Sequence, residues 1–126
     1  MRERITALNL KQLRIALQQA ALPAERQIAR LAGFDAAFEI ADDFDNWCSW
    51  ALASTDLDLT EEQRSRLSAL NRRLKGMSGE DNAELWTEHA LRCRPEWEAV
   101  RREAREILEL FQWPIEEQDD SGLEVV

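Results

Sequence analysis

The segment Pro95-Glu96-Trp97-Glu98-Ala99-Val100-Arg101-Arg102-Glu103-Ala104-Arg105-Glu106-Ile107-Leu108-Glu109-Leu110-Phe111 decides the fold class. Trp97, Val100, Ala104, Ile107, Leu108 and Phe111 recur at spacings of three and four, so they share one side of an α-helix. Arg and Glu fill the other side. Pro95 fits the first turn, where its missing N–H costs nothing. Trp113-Pro114 closes the helix, because proline cannot continue the hydrogen-bond ladder.

The same period runs back towards the start of the chain. Ile5, Leu10, Leu13, Leu17 and Ala20 predict a helix that stops near Pro23. A short helix over 24–32 ends at Gly33, a natural left-handed cap. Asp35 caps a third helix, whose core stripe reads Phe38, Ala41, Phe44, Cys48, Ala51 and Leu52. After a loop over 54–59, Thr60-Glu61-Glu62-Gln63 is a capping-box signature. The helix it starts turns Leu67, Leu70 and Leu74 inward and ends at Gly76. A polar connection over 78–82 leads to a shorter helix holding Leu85, Trp86, Ala90 and Cys93.

Composition agrees with that reading. There is no Tyr and little Val or Thr, while Ala, Leu, Glu, Gln and Arg dominate. The expected fold is all-α: a single irregular bundle of five or six helices over 1–114, followed by an acidic, mobile tail over 115–126. A chain of 126 residues is one domain by length. Folding at this size removes roughly two thirds of the unfolded surface from water, enough for stability without a metal or disulfide. Cys48 and Cys93 match no metal-ligand or redox spacing and are expected as half-buried thiols. No apolar run reaches membrane-spanning length, and the N-terminus has no uninterrupted apolar stretch, so a cytoplasmic protein is expected.

Charge is unevenly distributed. Residues 1–30 carry six bases and two acids, whereas residues 31–63 carry nine acids and no base. Residues 64–111 are nearly balanced, the last fifteen carry five acids and no base, and the net charge is −9. Within the base-free stretch, Glu39 and Asp43 are like charges at i,i+4, which mildly destabilises a helix. Asp42, Asp43 and Asp45 repel one another at short range. Trp50 lies about 20° from Asp43 and about 40° from Asn46 on the helical wheel, at the border of the apolar stripe. A Trp among carboxylates is the composition of an interface hot spot towards a basic partner. The candidate partner-binding residues are therefore Glu39, Asp42, Asp43, Asp45, Asn46 and Trp50. The alternative is a solvated face that keeps the chain soluble.

The opposite-sign cluster, Arg64, Arg66, Arg72, Arg73 and Lys75, would suit a phosphate-tracking face. A net charge of −9 opposes steering to a polyanion and no nucleic-acid motif accompanies the cluster. These bases are expected to pair with the acidic helix or with Glu80, Asp81 and Glu84. No nucleic-acid or membrane partner is expected, and a homodimer is compatible with the sequence.

Catalytic patterns fail one by one. His89 is the single histidine, and no nucleophile elbow accompanies it. A di-iron bundle needs Glu-x-x-His, yet Trp86 stands three before His89. Glu103, Glu106 and Glu109 alternate with Arg101, Arg102 and Arg105, as surface ion pairs do. The stretch from Asp56 has Glu61 and Leu67 where a calcium loop needs Gly and Glu. Four scattered glycines build no phosphate loop. No catalytic residue, cofactor or metal ligand is assigned.

In size, charge and helicity the chain resembles the small acidic helical immunity proteins encoded beside bacterial toxins. The residues prompting this are Asp42-Asp43-Phe44-Asp45-Asn46-Trp47-Cys48-Ser49-Trp50, Leu85-Trp86-Thr87-Glu88 and Pro95-Glu96-Trp97-Glu98. The resemblance implies a non-enzymatic antitoxin that masks a basic partner, the acids speeding encounter and an aromatic slowing release. The alternatives are a helical regulatory or adaptor subunit and a carboxylate-dependent hydrolase.

Overall fold

A computed structural model describes residues 2–115. The tail expected from Ile115 onward lies, apart from Ile115, outside the described residues. Among the described residues six α-helices run Arg2–Ala21 (α1), Ala24–Arg30 (α2), Ala36–Ala53 (α3), Glu61–Gly76 (α4), Glu88–Cys93 (α5) and Pro95–Leu110 (α6). A 3-10 helix, Glu80–Leu85, precedes α5, and no strand occurs among the described residues. The expected all-helical bundle is the fold observed.

Local chemistry sets the helix ends. The Phe38 N–H donates to Asp35 Oδ1 at 3.3 Å, and Gly33 takes φ 92° where the chain turns out of α2. Thr60 and Gln63 form both halves of the capping box, at 3.0 and 2.9 Å. Pro95 occupies the first turn of α6.

The four long helices close a ring in which α1 packs on α3, α3 on α4, α4 on α6, and α6 on α1. Cross-contacts fix their directions. Arg2 meets Asp56 beyond the end of α3, and Arg64 reaches the Leu52 carbonyl while Lys75 reaches Asp45. Arg66 meets Glu106 and Arg73 meets Glu103. Arg105 donates to the Ala21 carbonyl and Gln18 to that of Pro114. Each neighbour is therefore antiparallel, an up-down-up-down bundle. The two connections at one end are elaborated into α2 and into the 3-10 helix with α5. They meet there through an Arg92–Glu25 ion pair.

Trp97, Phe44, Leu13, Leu17, Ile40, Leu67, Leu70, Leu91, Ile107 and Leu108 fill the core with no more than 1% exposure. The Trp97 indole N–H is satisfied by the Leu85 carbonyl at 2.6 Å, and its ring meets Trp86 edge-on at 5.4 Å. Arg101, buried, donates to Gln27 and to the Leu91 carbonyl, and its burial lowers the guanidinium pKa.

Several details differ from the sequence expectation. The short helix expected around Leu85–Cys93 is broken in two at Trp86, because the Trp86 indole donates to the Met77 carbonyl at 2.8 Å and Thr87 caps a fresh helix. Ile5 is 52% exposed rather than inward, on the first turns of α1, which the bundle leaves largely exposed. Phe38 is 53% exposed because the buried arc of α3 runs through Ala36, Ala37, Ile40, Phe44, Cys48 and Ala51. Ile40, not Phe38, carries the core stripe there. The thiols are not both half-buried: Cys48 is fully buried and Cys93 exposed, and both are free.

Candidate functional site

The long helix α3 presents two arcs on either side of its outward pole. At 100° per residue, Phe38, Ala41, Asp42 and Asp45 fall towards one arc and Glu39, Asp43, Asn46 and Trp50 towards the other, with Asp45 and Trp50 about 140° apart. The six expected partner-binding residues therefore share one helix without forming one cluster.

On the first arc, Asp42 is exposed and Asp45 half-buried. Asp45 accepts a hydrogen bond from Ser49 Oγ at 3.4 Å and faces Lys75 Nζ at 3.8 Å. Both members of that ion pair are well solvated, so it contributes little. These residues line a groove of about 280 Å³ between α3, α4 and the 3-10 helix. Ala41, Leu74 and Trp86 supply its apolar wall, while Asn71, Lys75, Ser78 and Gly79 complete it. Phe38 lines the same groove, and Phe34, one turn earlier in sequence, is 67% exposed. Asn71 Oδ1 is shielded from solvent and meets no donor among the described residues.

On the second arc, Glu39, Asp43 and Trp50 are half-buried and Asn46 is exposed. Trp50 packs edge-on against Trp47 at 6.4 Å, and both rest on the core. Burial, then Glu39, then Asp42 push the Asp43 carboxyl above its ordinary value. Among the described residues Glu39, Asp42 and Asp43 have no ion-pair partner. The basic cluster is spent elsewhere than expected: Arg66 pairs with Glu62 and Glu106, and Arg73 with Glu103. Lys75 turns to an acid of α3, Asp45, and Arg64 reaches that helix at the Leu52 carbonyl.

Phe34, Asn71 and Trp86 were not picked out as site residues by sequence reasoning. The one sequence signal for them was the Phe34-x-x-x-Phe38 spacing across a helix cap, because the rest converge only through tertiary packing.

Among the described residues no helix is long and apolar enough to cross a membrane, and no three His, Cys, Asp or Glu side chains gather as a metal site. The chain matches no protein-family model, no curated protein and no solved structure.

Proposed function

We propose that this chain is a non-enzymatic, cytoplasmic binding protein that masks a basic partner, in the manner of the immunity proteins it resembles, through the acidic outer surface of α3. The observation that carries the reading is the unrelieved charge of that helix. Glu39, Asp42 and Asp43 crowd about one turn without an ion-pair partner among the described residues, while Arg66 and Arg73 are committed to α6. Such an arrangement costs stability in the free protein. A cationic surface relieves that cost and is drawn in by the same field. Trp50, wedged against Trp47 at the edge of the carboxylates, offers the aromatic contact that slows dissociation.

Affinity capture from the native lysate tests this. Tagged wild type and an Asp42/Asp43/Asp45→Asn variant are loaded at low salt, eluted by a salt gradient and read by mass spectrometry. One basic protein, held by wild type and lost by the variant, whose toxicity in cells is relieved by co-expression of this chain, is the expected result. A partner retained equally by both proteins contradicts the proposal.

A further inference from the structure

The groove beside Asp42 and Asp45 holds about 280 Å³, at the small end of the roughly 300–1,000 Å³ typical of small-molecule sites. That volume suits one anchoring side chain of a protein partner. Its walls specify which. Ala41, Leu74 and Trp86 provide apolar and aromatic surface for an alkyl stem, and Phe38 flanks the mouth. The carboxylates of Asp42 and Asp45 provide acceptors for a cation.

Arginine matches this set better than lysine. Its planar guanidinium carries five donors and stacks on aromatic faces, whereas an ammonium is a compact, strongly hydrated charge. Lys75 already stands in the groove with its Nζ 3.8 Å from Asp45, both ends of the pair well solvated. A tethered cation there competes weakly with an incoming one.

Resting on the reading above that the partner is basic, we infer that this groove receives one arginine side chain of that partner. Its guanidinium sits between Asp42 and Asp45 and displaces Lys75, and apolar neighbours in the same segment cover Phe38 and Phe34.

The test is a ¹⁵N NMR titration of the full chain with an acetylated, amidated Leu-Arg-Leu peptide, alongside its Leu-citrulline-Leu counterpart. Expected shifts centre on the Trp86 indole N–H, the Asn71 side-chain amide and the Gly79 amide. Citrulline, isosteric but neutral, binds about tenfold more weakly, as does arginine to the Asp42→Asn/Asp45→Asn variant. Lys75→Gln tightens binding by about threefold, the size of a solvated ion pair. Arg72→Gln makes the same change in net charge on an exposed residue of α4 that does not line the groove, and tightens binding less. Well-dispersed spectra of each variant establish that it is folded. Shifts centred on the Trp50 indole, or equal gains from Lys75→Gln and Arg72→Gln, overturn the groove while leaving a basic partner in place. No shift at any peptide concentration also overturns it, and the capture experiment then judges the wider reading on its own.

Discussion

Replacing Asp43 with Asn isolates the cost of the acidic helix. Asp43 follows Glu39 by one turn, and a like-charge pair at that spacing costs about 0.2–0.5 kcal/mol. Partial burial and the neighbouring Asp42 act in the same direction. The carboxylate stays partly solvated, so screening holds the total gain from Asp43→Asn to about 0.5–1 kcal/mol. Asn and Asp have similar helix propensity, so the substitution changes little else. For a chain of this size the gain corresponds to a rise in Tm of roughly 2–4 °C. The sign of its pH dependence follows from the raised carboxyl pKa. The folded chain holds that proton more tightly than the unfolded chain, so Asp43 costs nothing below the ordinary carboxyl value of 3.8. The penalty appears as pH rises through the raised value. Thermal unfolding followed by circular dichroism at pH 7 and pH 3 reads both. A gain at pH 7 that vanishes at pH 3 and shrinks in high salt is expected. A lower Tm at pH 7, or an equal gain at both pH values, refutes the reasoning.

Other outcomes follow from the same structure. Thr60→Ala removes the side-chain acceptor for the Gln63 N–H and should lower stability by about 1 kcal/mol, read as a lower urea midpoint at unchanged slope. Cys93 should react with a thiol reagent in the native protein, whereas Cys48, buried and with its thiol pushed up to about 12, should react only on unfolding. Comparable native rates at both positions would contradict the packing of α3 on α4. Trp50→Ala should raise the partner dissociation rate by roughly tenfold or more, seen by surface plasmon resonance, with little change in association.

What could be read from the sequence was what is encoded locally. The stripe from Trp97 to Phe111, the Thr60–Gln63 box and the Asp35 cap each lie within a few turns of chain, and each forms as expected. The side of α3 that turns inward was harder. Phe38 and Ile40 are two apolar residues almost opposite on the helix, and only packing against α1 and α4 decides between them. The break at Trp86 depends on a carbonyl nine residues away, that of Met77. Thr87, accepting from the Ala90 N–H, is the one local mark of the new helix. The acidic surface was legible as charge, since nine carboxylates without a base need no fold to be noticed. Its division into two arcs, one carrying a groove, was not. That groove joins Phe38, Asn71 and Trp86 from three separate segments.

The most direct measurement is the association rate of the captured partner with wild type and with the Asp42/Asp43/Asp45→Asn variant, at low and at high salt. If the acidic face of α3 is the binding surface, wild type associates at least tenfold faster at low salt, and added salt closes most of that gap. Equal rates and equal salt dependence in the two proteins would contradict the central claim and leave those carboxylates as solvated surface.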